Sequence, residues 1–322
     1  MKTFLKKLRS IYIINLLLRN LILCVKPLSK SFYKKLADHL PLQGIISIKL
    51  LNGKNIKMFS NSDDFMLKEA FFGISDEHGT DTLVSILAPK SKVIFDIGAN
   101  TGLFSVFCFG YNTDAKIYAF EPVHSIANRF DRNIDLNKPN NIELHQNVIS
   151  GSSSGFVSLF VPKTEISYSS SSLKEFHDAG SVEEIKVKAL TLDDFFIENE
   201  IIRADLIKID VEWHEYEVLT GAMNVLSKCS PLLIVEILFA ETEEKKNASL
   251  LGKLPADHHL KIGKFLKELG YYFYEIYHDG ILRVDELEPG NHERNYLFSK
   301  KKSINKKLSF SAKEEIINQL LN

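Results

Sequence analysis

The chain is poor in the features that would assign it to several common classes. Its 322 residues hold only three cysteines. These are Cys24, Cys108 and Cys229, far apart and each in an apolar setting. Neither a disulfide framework nor a zinc-ligand spacing is visible, so a reducing, cytoplasmic compartment is expected. Charge of one sign is also missing: the formal net charge is -1, which leaves no global field of the kind that draws nucleic acid. Long apolar runs are absent too. The stretch Ile11 to Val25 is interrupted by Asn15, Arg19 and Asn20 and is followed by no small-residue cleavage site, so it is a poor transmembrane span and a poor secretion signal. No internal repeat is present. Tryptophan occurs once, at Trp213.

What is present centres on Val93 to Gly102, Val-Ile-Phe-Asp-Ile-Gly-Ala-Asn-Thr-Gly. Its first half is a β-branched and aromatic run, expected to form a strand buried on both faces of a parallel sheet. Its second half is a turn with glycines at Gly98 and Gly102, and an apolar helical pattern from Leu103 to Phe109 follows. In open α/β sheets, ligands sit just beyond the carboxyl ends of such strands, where helix N-termini present free N–H groups. The spacing is Gly-x-x-x-Gly, without the middle glycine of Gly-x-Gly-x-x-Gly. That omission counts against a nicotinamide dinucleotide and hence against an oxidoreductase.

Four segments are expected. Residues 1–30 interleave Lys2, Lys6, Lys7, Arg9 and Arg19 with apolar side chains. This is a basic amphipathic pattern suited to packing on a partner or domain, with weak membrane-surface contact as the alternative. Residues 31–90 form a prelude: a hairpin about Asn52-Gly53 with a two-residue turn, a helix opened by Asp63-Asp64, and a helix from Thr82 to Ala88 stopped by Pro89. Residues 91–300 alternate strands and helices. Strands are expected at Lys116–Phe120, Ile142–Val148, Asp205–Val211, Leu232–Ile237, Tyr271–Tyr277, Ile281–Val284 and Tyr296–Phe298. Val157–Val161 and Ile185–Ala189 read as an antiparallel pair flanking a serine-rich loop, Ser167 to Ser172. Helices are expected after a cap near Ser125, after Thr191-Leu192-Asp193-Asp194, over Glu215–Lys228 and over Lys261–Leu269, with Glu241 to His259 as a polar loop. Residues 301–322 read as a basic, then amphipathic, tail.

Several of these pieces together resemble the FkbM family of S-adenosylmethionine (SAM)-dependent methyltransferases. In order, they are Phe95-Asp96-Ile97-Gly98-Ala99-Asn100-Thr101-Gly102, Phe120-Glu121-Pro122, Leu190-Thr191-Leu192-Asp193-Asp194, Ile207-Lys208-Ile209-Asp210-Val211-Glu212, Val218-Leu219-Thr220-Gly221-Ala222, Val235-Glu236 and Gly270-Tyr271. Glu77 stands where that family tends to carry a glutamate before the glycine turn. The resemblance implies a Rossmann-like, seven-stranded class I methyltransferase sheet, mostly parallel with one antiparallel strand. It also implies SAM as cofactor and O-methylation of a hydroxyl on a sugar, glycan or natural product. It places Glu77, Asp96, Gly98, Asn100, Gly102 and Glu121 at the cofactor. A carboxylate ending the second strand, Glu121, suits a ribose diol, and Asn147 after the third strand is a partner for adenine.

An acceptor hydroxyl must lose its proton, so carboxylates at neighbouring strand ends, Asp210, Glu212 and Glu236, are the candidate catalytic groups. Three converging carboxylates could also hold Mg²⁺, although the spacing does not require a metal. His214 reads as an exposed first-turn residue, and His258-His259 as solvated. Trp213 stands where the family usually has glycine, and it is expected at the mouth of the acceptor pocket with its N–H at a wet rim. That departure leaves a non-catalytic SAM-binding scaffold as the rival reading.

Overall fold

The β-branched run beginning at Val93 forms a strand because both of its faces can be buried. In the computed structural model Ile94 packs on one side of the sheet with Leu83, Leu87 and Ile117, and Phe95 packs on the other with Phe120, Leu192 and Phe195. The structure describes residues 42–61, 64–73, 78–162, 182–239, 257–288 and 295–321, with a few isolated positions before residue 42. Glu77, most of residues 1–30, the serine-rich 167–172 stretch and most of the polar 241–259 stretch lie outside the described residues.

The strands are β1 (Gln43–Lys49), β2 (Asn55–Asn61), β3 (Val93–Ile97), β4 (Lys116–Phe120), β5 (Ile142–His145), β6 (Val148–Ile149), β7 (Phe156–Pro162), β8 (Val182–Leu190), β9 (Leu206–Ile209), β10 (Leu232–Glu236), β11 (Tyr272–Tyr277), β12 (Gly280–Val284), β13 (Asn295–Ser299) and β14 (Lys307–Ser309). The helices are α1 (Phe65–Phe72), α2 (His78–Leu87), α3 (Leu103–Tyr111), α4 (His124–Asn137), α5 (Leu192–Glu198), α6 (Glu215–Thr220), α7 (Met223–Cys229), α8 (His258–Glu268) and α9 (Lys313–Leu320).

The main sheet has nine strands in the order β14-β12-β11-β13-β10-β9-β3-β4-β5. Five neighbours, β10-β9-β3-β4-β5, run parallel, and β13 pairs antiparallel with both β10 and β11. The seven strands from β11 to β5 are therefore the expected mixed sheet, with β13 the single antiparallel member. The expectation of seven strands falls short by two. The chain turns at His278-Asp279 into β12, and β14 from the C-terminal stretch then covers the edge of β12. Helix α9 follows, burying Ile316 and Leu320.

Other corrections are local. The hairpin closes over three residues, Leu51-Asn52-Gly53, because Leu50 and Lys54 still pair and Gly53 takes a left-handed φ of 85°. Ile142–Val148 is not one strand: it breaks at Gln146-Asn147, and β6 joins β7 and β8 in a separate three-stranded sheet, where β7 and β8 are antiparallel as expected. Glu215–Lys228 is two helices, since Gly221 packs against the Ser150 backbone so closely that a Cβ would collide with its carbonyl oxygen. Helix α4 begins at His124 with Val123 at its N-cap position and no side-chain cap, so Ser125 does not cap it. Helices α2 and α8 each begin earlier than expected, at His78 and His258.

The hairpin does not stand apart. Its β2 edge is bonded by side chains of α4: Lys57 N–H donates to Asn137 Oδ1 at 2.8 Å and Phe59 N–H to Asn133 Oδ1 at 2.7 Å. Asn133, fully buried, also donates from Nδ2 to the Thr101 carbonyl at 2.7 Å, so one side chain ties the hairpin to the glycine turn.

Candidate functional site

The chain runs β3, β4, β5 outward in one direction and then returns to place β9 and β10 on the other side of β3. The strand order therefore reverses between β3 and β9, which is where a crevice opens in sheets of this kind. Two turns face each other there, Gly98–Gly102 after β3 and Asp210–Trp213 after β9. They touch: a Cβ on Gly98 would be driven into the carbonyl oxygen of Asp210. Gly98 has φ 83° and Gly102 φ 87°, conformations that glycine takes without steric cost. Asn100 sits between them at φ 51°, a region its short polar side chain tolerates.

Period-two alternation sets the acidic groups. On β3, Ile94 and Asp96 share a face; on β9 and beyond, Leu206, Lys208 and Asp210 do; on β10, Ile234 and Glu236 do. Asp96 is buried, with Ser105 Oγ of α3 donating to Oδ2 at 2.6 Å, while Oδ1 has no hydrogen-bond partner among the described residues. Burial pushes its pKa up to about 6, partly countered by Lys208 and the Ser105 bond. Lys208 Nζ lies 2.5 Å from Asp210 Oδ2. Burial raises the pKa of Asp210, but the Lys208 charge, the Lys208 hydrogen bond and a bond shared with Glu236 together bring it below the usual carboxylate value. Lys208 was not singled out from the sequence. A lysine inside an otherwise apolar strand run, two residues before an aspartate, was the available signal.

Glu121 ends β4 and is 4% exposed. Its Oε1 accepts from Val123 N–H at 2.9 Å and its Oε2 from Asn100 N–H at 3.0 Å, so the backbone fixes the carboxylate and leaves each oxygen a further lone pair. Burial dominates its ionisation, and the pKa rises to about 7 despite those two bonds.

Glu121 and Asp210 border one cavity of about 80 Å³ that opens to solvent. Gly98, Asn100, Glu121, Asn147, Asp210 and Glu212 all border it, and Val148, Ile149 and Leu159 of the small sheet close it with an apolar wall. Asp96 and Gly102 support the glycine turn without appearing on the lining: a Cβ on Gly102 would come within 2.7 Å of the Phe130 ring. Asp210, Glu212 and Glu236 each offer an oxygen within 4.8 Å of the others. An all-oxygen donor set of this kind fits a hard cation such as Mg²⁺. The same three groups equally form an acidic cluster already neutralised in part by Lys208.

The histidines and the tryptophan are placed differently from expectation. His214 is buried on the cavity wall, with Nε2 3.0 Å from Ser150 Oγ, and burial holds its pKa below the ordinary imidazole value. His258 is buried as well, its Nε2 2.6 Å from Glu215 Oε2. Trp213 is 4% exposed and does not border the cavity; its ring lies 5.4 Å from that of His258. Both Glu212 (φ 50°) and Trp213 (φ 75°) are left-handed. Glycine would take that backbone freely, which is the physical reason a glycine suits this position.

The strand order and the switch-point crevice are those of the class I methyltransferase fold. Residues 96–273 match the model of the Methyltransferase FkbM domain, more than half of the chain. The chain is 29% identical over 188 residues to the hexuronic acid methyltransferase AglP of Haloferax volcanii, covering 58% of this chain and 73% of that protein. It is 26% identical over 147 residues to Methyltransferase 1 of Beauveria bassiana, covering 41% of this chain and 59% of that protein. Among solved structures, the methyltransferase FkbM of Methylobacillus flagellatus aligns with a TM-score of 0.37 at 15% identity, covering 70% of this chain and 55% of that one. The chain belongs to the FkbM methyltransferase family, for which SAM is the expected methyl donor. Among the described residues no helix is long and apolar enough to cross a membrane.

Proposed function

We propose that the protein methylates a hydroxyl group of a sugar or similar small molecule, using SAM held by the glycine turn and Glu121. One observation carries this reading: a buried carboxylate ends β4 with both oxygens oriented by backbone N–H groups and borders a cavity together with Asp210 and Glu212. A diol donating two O–H bonds is the complement of such a group. Asn147 and the apolar wall of Val148, Ile149 and Leu159 suit a flat, partly polar base. The name of AglP, a hexuronic acid methyltransferase, supports a saccharide acceptor.

SAM, when bound, supplies an electrophilic methyl group on a positively charged sulfur. The protein then has to place the acceptor oxygen in line with that methyl and accept a proton. Asp210, kept ionised by Lys208, accepts an O–H hydrogen bond and turns an oxygen lone pair toward the methyl. Glu212 and Glu236 stand beside it to take the proton as the O–C bond forms. Mg²⁺, if bound, would be held by the same three carboxylates and would polarise the hydroxyl. Trp213 does not border the cavity, which supports catalysis over a non-catalytic scaffold.

Calorimetry with SAM, followed by a methyl-transfer assay on hexuronic acids and hexuronate-containing saccharides, tests the proposal. Glu121→Ala is expected to weaken SAM binding by about 1 to 3 kcal/mol, the worth of charge-assisted hydrogen bonds. Undiminished affinity in the folded variant removes Glu121 from the site, and absence of transfer to every saccharide removes the acceptor class.

A further inference from the structure

Two consecutive residues with side chains, Glu212 and Trp213, hold left-handed φ values of 50° and 75°. Each such residue costs roughly 1 kcal/mol or more, so the turn persists only if its surroundings over-determine it. The surroundings form a closed circuit. Trp213 N–H donates to Glu215 Oε1 at 3.1 Å. The other oxygen of Glu215 lies 2.6 Å from His258 Nε2. The His258 ring returns to the indole at 5.4 Å. Glu215 is completely buried, His258 and Trp213 nearly so. Burying a carboxylate is costly unless its oxygens are bonded; both oxygens of Glu215 are, and one of them is committed to the backbone of the strained turn.

We infer that Glu215 and His258 are positioning residues, clamping the Glu212–Trp213 turn and so aiming Glu212 and His214 into the acceptor side of the cavity. Neither borders the cavity; both act through the turn. The assignment of Glu212 and His214 to the acceptor side rests on the function proposed above, whereas the clamp itself does not. The circuit stands in for the conformational freedom that a glycine at position 213 would supply.

The test separates the clamp from ordinary packing. Glu215→Leu fills the buried volume but cannot accept from Trp213 N–H. It should speed amide hydrogen exchange at Trp213 by about tenfold or more while leaving exchange in β3 and β4 unchanged, since a lost local bond opens only its own segment. Emission from Trp213, the sole tryptophan, should shift to the red and become accessible to acrylamide. SAM affinity should stay within about twofold, because the glycine turn is untouched, while kcat for methyl transfer falls about tenfold or more, the pattern of an interaction lost in the transition state rather than in cofactor binding. If Glu215→Leu does not fold, His258→Ala breaks the same circuit from the other end and is expected to give the same readouts. In a Trp213→Gly background, Glu215→Leu should cost less further activity than it does with Trp213, because glycine takes the left-handed conformation at 213 without strain and leaves only Glu212 to be held. Unchanged Trp213 exchange, or equal losses of activity with Trp213 and with glycine, overturns the clamp. Absence of methyl transfer in the wild-type protein would instead overturn the proposed reaction, and the exchange and emission measurements would still decide the clamp.

Discussion

The two turns that meet at the switch point solve the same backbone problem differently. After β3 the chain needs left-handed residues and uses Gly98 and Gly102, with Asn100 between them; after β9 it needs them again and uses Glu212 and Trp213. The first turn is held by what it lacks, since side chains there would strike the Asp210 carbonyl and the Phe130 ring. The second is held by what it has, a buried carboxylate and imidazole behind it. A glycine turn can be read from sequence because only one residue type fits. A clamped turn cannot, because its support comes from residue 258, 45 positions beyond Trp213.

Gly98→Ala should be the most damaging single change in this comparison. It adds both the left-handed penalty and an overlap with backbone that cannot move, and a loss above about 4 kcal/mol is expected, enough to unfold a marginal domain. Urea unfolding measures it; a stable Gly98→Ala protein would mean that the two turns are not in contact.

The next effect is set by pH. The buried Glu121 has its pKa raised from 4.5 to about 7, so the folded apoprotein binds more protons than the unfolded chain between those values. The stability from neutral Glu121 is fully present below about pH 4.5, declines as pH rises, and is lost above about pH 7, a change on the order of 3 kcal/mol. Asp96, raised to about 6, acts in the same direction over a lower window. Relative to wild type, Glu121→Gln should gain stability steadily from pH 5 to 7.5. Parallel pH profiles for the two proteins would show that burial does not govern this carboxyl.

Asn133→Ala probes the support of the glycine turn. It leaves the Thr101 carbonyl and the Phe59 N–H without their partner in a buried setting, and a loss of about 1 to 3 kcal/mol is expected. Reduced SAM affinity should accompany it; a loss of stability with unchanged affinity would confine Asn133 to docking the hairpin.

The smallest effect is the most diagnostic. At most positions glycine is less stable than alanine, but at φ 75° the order should reverse. Trp213→Gly is therefore expected to be more stable than Trp213→Ala by about 1 kcal/mol, although both lose the buried ring. The usual order would show that the turn relaxes out of the left-handed region once the indole is gone.

Much of the sheet was legible from residue patterns. Val93–Ile97 and Lys116–Phe120 fall where their apolar runs end, and the antiparallel pairing of β7 with β8 follows from alternation. The long helical pattern over Glu215–Lys228 misled because Gly221 is needed for close approach to Ser150, a contact 71 residues distant in the chain. The bend at Gln146-Asn147 misled likewise: the apolar run continues, but its two halves pair in different sheets. At the site, the candidates on the glycine turn, at Glu121, at Asn147 and on the acidic strand ends are brought together. His214, His258 and Trp213 are buried, contrary to expectation; the two histidines gain partners only when folded, Ser150 for His214 and Glu215 for His258, while the indole packs beside the His258 ring.

Composition and local pattern by themselves determined the alternating α/β order, the glycine turn and the carboxylates at successive strand ends, because each depends on steric or hydrophobic rules acting over a few residues. Only the tertiary structure decided which carboxylate is charged and which turn is strained. Those properties arise where β3, β4, β9 and β10 end side by side: Lys208 reaches Asp210 across a pleat, burial lifts Glu121, and the Glu215–His258 pair closes behind Trp213. Electrostatic energy in a dry interior depends on burial and on distances in space: the Lys208–Asp210 spacing is local, but the depth of Glu121 and the approach of His258 to Glu215 are set by residues far apart in sequence.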